Sequence, residues 1–447
     1  MFRIELGPLE LIQWLAYLTI GALILYVYKY LNNDKQFTYL LPGYFAKSIG
    51  GFIFTMFYVF YYDGEGDTFF YYEGSLKLAN IFWQSPKFYF DLMIANSHDA
   101  QAILKNGNEF IQMSATEEEW FMVRLISPLT ILGLRTYLGV TFFMSFISFL
   151  GSYKIYQLMI NIMGQERKKL IFIINFLIPS VLFWGSGLLK DTITLSCFYF
   201  FLFFMYQILI LGKIRLRNIF FILLFGLIIF QLKAYILICL ILWFFVVLFF
   251  VFIKKSKNPI VKFLMLPYLL VFVIGTGYSG LQLLLVKSDE YKSELILSKI
   301  EGYQSYHQSL GGSVYNLGQV EYTEIGLLKK FPQALNVSLF RPYPWESNTF
   351  MVLINSMESM ILLFFLFYVL FKFKFSFFKE LKNSPFLIGA FIFILIFSFF
   401  IGITSYNFGA LSRFKLPIDA FSFFILYYIY VQKKIKNKLN GNELFEK

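Results

Sequence analysis

A chain of 447 residues that is 58% hydrophobic, 22% aromatic and only 15% charged is too apolar for a soluble globular protein. Its net charge of +12 would suit a nucleic-acid binder, but the cations cluster in short loops between apolar runs, as the positive-inside rule requires of a membrane protein, so no nucleic-acid partner is expected. The two cysteines, Cys197 and Cys239, both lie inside apolar runs, which leaves no disulfide framework and no thiolate metal cluster.

The apolar runs lack the short period-2 alternation of a barrel, so the expected fold is all-α. The sequence reads as one polytopic membrane domain over residues 1–447 with about eleven transmembrane helices. The first two spans are expected at 11–31 and 43–62, with no small-residue cleavage site to remove the first. A long polar segment follows at 63–136, in which 88–103 and 120–131 mix apolar and polar residues as interfacial helices do. Further spans are expected at 137–159, 170–184, 192–211, 219–232, 235–253 and 263–286. A second long polar segment covers 287–348, with helical spacing at 287–300 and a turn at 311–314. The last spans are expected at 350–371, 386–401 and 417–431.

Basic loops at 165–169, 213–217, 254–262 and 372–382 alternate with the polar segments and agree with the basic C-terminal tail. That face is expected to be cytoplasmic, with the N-terminus outside, the C-terminus inside and the two polar segments joined as a cap on the outer face.

The chemistry-bearing stretches share that outer face. At 61–72 the run YYDGEGDTFFYY places Asp63, Glu65 and Asp67 where the chain leaves the bilayer, ahead of interface-seeking aromatic residues. Such a turn is a candidate for a general base or for a divalent cation, Mg2+ or Mn2+, on Asp63 and Asp67; a solvated acidic loop fits it equally. At 179–192, PSVLFWGSGLLKDT ends in Lys190, a point charge suited to phosphate, and Asp191, a ligand contact or the N-cap of the next helix. Lys233 interrupts an apolar hairpin and either snorkels or faces a polar cavity.

The stretch SLFRPYPWESN, 338–348, holds Arg341, Trp345 and Glu346 on a backbone stiffened by two prolines. An arginine fork binds phosphate in two-point fashion and aromatic faces stack on sugar rings; an interfacial Arg–Glu pair with an aromatic anchor is the alternative. Arg413 and Lys415 stand before the last span, on the side where the positive-inside rule disfavours cations, and Arg124 and Arg135 add two more. His98 and His307 lack ligand spacing, and no HExxH, GxSxG, Walker or dinucleotide motif occurs, which excludes an ATP-driven pump.

With DGEGD after an early span, FWGSGLLKD at the fourth and RFKLP before the last, the layout resembles the polytopic bacterial glycosyltransferases of the C superfamily, which use polyprenyl-phosphate-linked sugars. The resemblance implies that Asp63 or Asp67 is a base or metal contact and that Lys190, Arg341, Arg413 and Lys415 touch the donor phosphate. It departs from that family in placing the acidic loop after the second span. GDTFFYY is also similar to multispanning exopolysaccharide polymerases. The expected function is transfer of sugar from a lipid-linked donor to a glycan or lipid acceptor at the outer face of the bacterial cytoplasmic membrane. The alternatives are a polymerase of lipid-linked repeat units and a transporter or flippase of lipid-linked glycans, for which inverted repeats are missing and Lys233 is the one mid-bilayer charge.

Overall fold

The computed structural model describes residues 6–32, 35–62, 66–106, 116–258, 313–321, 323–374 and 376–439, with single positions at 260, 267, 271, 275 and 302. Asp63, Glu65, the span expected at 263–286 apart from positions 267, 271 and 275, the helical spacing at 287–300 and His307 lie outside the described residues. Among those described, the structure is helical throughout, without a strand. Val314 and Asn407 form an isolated antiparallel bridge.

Two compact units share the chain: residues 1–203 with 220–233, and residues 204–219 with 234–447. In the first, α1 (Pro8–Asn32) and α2 (Leu40–Phe60) pack with α7 (Tyr137–Met163). Between α2 and α7 the expected outer segment forms α3 (Asp67–Gln84), α4 (Pro86–Ile94), α5 (Ser97–Asn106) and α6 (Glu117–Leu132). Helices therefore occur over both interfacial stretches read from the sequence. Pro86 starts α4 at a position where its missing N–H costs nothing, and Thr136 caps α7 by accepting from the Gly139 amide at 3.1 Å. Trp120 donates to the Ala95 carbonyl at 2.9 Å and Thr130 to Ser75 at 2.8 Å, so α6 is pinned to both α3 and the end of α4 by polar contacts as well as apolar packing.

The span expected at 170–184 is not one helix. It divides into α8 (Lys168–Phe172), a π-helical turn (Ile173–Leu177) and α9 (Pro179–Phe183), and then unwinds to Leu189 before α10 (Lys190–Leu209). Pro179 removes a backbone donor inside the run, and Gly185 and Gly187 weaken helix continuation after it. The sixth and seventh expected spans form one helical run, α11 (Leu216–Lys255), broken at Lys233, whose φ of −152° and ψ of 75° are not helical. An unbroken helix of that length would be roughly 60 Å long, about twice a bilayer core. The chain passes from the first unit to the second at this break.

The second unit contains α12 (Glu324–Lys329), α13 (Phe331–Phe340), α14 (Phe350–Phe373), α15 (Ser376–Leu381), α16 (Pro385–Thr404), α17 (Phe408–Phe414) and α18 (Leu416–Leu439). Here α13 packs on α16, while α18 contacts α14, α15 and α16. Asn407 caps α17 with two backbone amides, and α17 and α18 meet at a 67° bend. Among the described residues seven helices are long and apolar enough to cross a membrane, or eight with the bent pair counted as one span. The protein is an all-helical membrane protein.

Candidate functional site

In the first unit, charges expected from the sequence on the outer face gather around the head of α10. The Lys190 amine lies over the ring of Tyr71, 5.8 Å from its centroid, and 4.0 Å from Glu118 Oε2. The Lys190 side chain is only 18% exposed, whereas that of Glu118 is 46% exposed, so the ion pair opens to water on its acidic side. Asp67 opens α3 one helical turn before Tyr71 and is exposed. Gly66 precedes it at φ 118°, a left-handed conformation that favours glycine and lets α3 start directly after the acidic turn.

Asp191 is not an N-cap. It stands in the first turn of α10, buried, and its carboxylate pairs with the Lys233 ammonium. Lys233 therefore neither snorkels nor faces an open cavity: the break in α11 delivers its amine to a buried counter-ion, where attraction is screened little. Arg124 is absorbed by the protein itself. Its guanidinium donates to the carbonyls of Met93 at 3.0 Å and Ala95 at 2.9 Å and lies over Trp120 and Phe121. Burial lowers its pKa, with the Glu117 charge opposing the shift. Arg135, exposed and at φ 61°, reaches Asn80 at 3.3 Å.

In the second unit the structure brings Arg341, Trp345, Glu346 and Lys415 together. Arg341 follows α13, and Pro344–Glu346 forms a 3-10 turn that folds Glu346 back onto it. Arg341 Nε lies 3.0 Å from each Glu346 carboxylate oxygen and Nη2 bonds the same group, while the Tyr343 amide donates to Oε2 at 2.8 Å. Burial alone would raise the Glu346 pKa, but the hydrogen bonds and the Arg341 charge outweigh it and hold the carboxyl below its usual range. The arginine fork is thus already occupied, and an anion from solution has to share it. Tyr343 stacks on Trp345 with ring centroids 4.9 Å apart, and Trp345 is 76% exposed, so the outer face of this aromatic pair is open.

Lys415 sits at the bend between α17 and α18, buried, and donates to Ser359 Oγ at 3.0 Å; that hydroxyl donates in turn to the Arg341 carbonyl at 3.4 Å. Arg413 is half-buried in the last turn of α17.

The structure also places four ionisable residues that sequence reading passed over. Glu118 was hidden in the acidic start of α6, which reads as ordinary N-terminal charge. Lys47 in α2, Glu358 in α14 and Asp419 in α18 are buried within apolar helices. Each interrupts an apolar run, a signal as visible as Lys233 was. Among the described residues no three His, Cys, Asp or Glu stand close enough to hold a metal ion, so the described donors fall short of a divalent site, and Asp63 lies outside them.

No protein-family model, no curated protein and no solved structure matches this chain. Function has to be read from the side chains themselves.

Proposed function

We propose that the protein is a membrane-embedded glycosyltransferase. It moves a sugar from a polyprenyl-phosphate-linked donor to a glycan or lipid acceptor at the outer face of the bacterial cytoplasmic membrane. The observation that carries this reading is the group at the head of α10: a shielded cation, Lys190, 4.0 Å from the Glu118 carboxylate and over the ring of Tyr71, one helical turn after the exposed Asp67. A carboxylate there takes the proton of the acceptor hydroxyl as its oxygen bonds the anomeric carbon. The bond from that carbon to the phosphate oxygen breaks, and the lipid phosphate leaves with the electron pair, its charge met by Lys190. Asp67 is the base in this reading, with Asp63 beside it in sequence. In the second unit, the exposed Trp345 ring stacked on Tyr343 suits a sugar ring, and Arg341, Arg413 and Lys415 are proposed as donor-phosphate contacts, Arg341 sharing its fork with Glu346.

The architecture that goes with this function has eleven spans, both polar segments folded as an outer cap, the N-terminus outside and the C-terminus in the cytoplasm. The decisive comparison is between Lys190→Met and Asp67→Asn in membranes supplied with lipid-linked donor. Lys190→Met is expected to raise the donor KM about tenfold, the scale of one lost charge-assisted contact. Asp67→Asn is expected to lower kcat by about 100-fold or more with little change in KM. Product formation unchanged in both variants would remove this site assignment.

A further inference from the structure

Backbone that unwinds inside a membrane protein must have its carbonyls satisfied by the protein itself. Between α9 and α10 the chain leaves helical geometry, and buried side chains from three helices meet the carbonyls of α9 and of the unwound stretch. From α2, Lys47 donates to the Val181 carbonyl at 2.8 Å and reaches the Gly185 carbonyl at 3.5 Å. From α7, Ser148 donates to the same Gly185 carbonyl. From α10, Thr192 donates to the carbonyls of Gly187 at 2.7 Å and Trp184 at 3.2 Å.

Lys47 is 0% exposed and lies well inside α2, so it takes no part in the outer-face groups above. Its flexible stem carries three donors across to another segment, which no short hydroxyl side chain at that position can do. Val181 and Gly185 are four residues apart, so their carbonyls form the unsatisfied end of one helical turn, where a cation is favoured. The backbone closes tightly on the same joint. An added Cβ at Gly185 would stand 2.5 Å from the Val181 carbonyl oxygen and 3.3 Å from the Lys47 amine. Five residues after Gly185 the chain reaches Lys190 and then Asp191, which pairs with Lys233.

We propose that Lys47 is a positioning residue: by tying the carbonyls of the unwound turn it fixes where Lys190 and Asp191 emerge at the head of α10. The turn is a fixed strut that sets the cation over Tyr71, and the lysine inside α2 is its main fastening. This inference concerns the placement of Lys190 and needs no substrate, so it stands or falls apart from the transferase reading.

The test is the rate at which a membrane-impermeant maleimide modifies Lys190→Cys in the full-length protein. His98→Cys serves as a control at a site whose side chain is 93% exposed. Adding Lys47→Met is expected to raise the Lys190→Cys rate about tenfold, as expected when a local opening loses a buried hydrogen bond. Ser148→Ala shifts it in the same direction by less, and the His98→Cys rate stays constant in every background. Should Lys47→Met fail to fold, Ser148→Ala and Gly185→Ala disturb the same joint and decide the question. A Lys190→Cys rate unmoved by all of these substitutions overturns the proposal, as does an equal rise at His98→Cys, which would mean general loosening.

Discussion

Asp191 and Lys233 stand 42 residues apart in sequence and meet as an ion pair whose carboxylate is buried. Lys233→Met leaves a buried carboxylate short of its cation and is expected to cost about 3–5 kcal/mol. Adding Asp191→Asn should recover part of that loss in the same thermal-unfolding assay in detergent. Glu346 makes a pH-dependent contribution of known sign. Its folded pKa lies below the ordinary value of 4.5, so its stabilisation is present above that pH and is lost as pH falls through the folded value. The midpoint of unfolding should therefore drop below about pH 4.5 in the parent protein. Glu346→Gln should lack that component and already be less stable at neutral pH. At this scale the sequence disclosed Lys233 as an unusual cation, because it broke an apolar pattern, while Lys47 broke one as plainly and was passed over. It did not disclose their partners. Glu346 could be matched to Arg341 through five residues of stiff chain, whereas Lys233 needed the fold to bring Asp191 to it.

At the scale of elements, the expected helices survive over long and largely apolar runs, as in α1, α2, α7, α14 and α16, even where Lys47 or Glu358 interrupts them. The fourth expected span is a broken helix because Pro179 sits inside it and Gly185 and Gly187 follow it, and hydropathy averages over them. The hairpin at Lys233 read correctly as an interruption, and the structure renders it as one non-helical residue within a long helical run. Close packing carries its own signature in α7. A Cβ at Gly151 would lie 2.7 Å from the Ser196 Cα, and backbone at that distance cannot give way as a flexible side chain can. Gly151→Val is therefore expected to force α7 from α10 and to cost about 1–3 kcal/mol, read as a lower unfolding midpoint. Gly212, by contrast, meets nothing within 4 Å despite its φ of 65°, so only backbone strain opposes substitution there.

For the whole molecule, composition made a helical membrane protein legible at once, because no soluble core can absorb so much apolar surface. Direction across the membrane came from the basic loops, and the proposed topology makes His98 external and Lys434 cytoplasmic. A cysteine at 98 should react with an impermeant reagent in intact cells, and one at 434 only after permeabilisation; the reverse pattern would invert every outer-face assignment. The functional groups were less legible, because a cation and a carboxylate form a site only once packing fixes their distance. The proposal that this is a glycosyltransferase meets its most direct test in the lipid-linked intermediates and surface glycans of cells lacking the protein. A glycan missing one sugar together with accumulated, unused polyprenyl-phosphate sugar is expected. Intact repeat units left unpolymerised on lipid, or no change in either pool, would contradict the proposal.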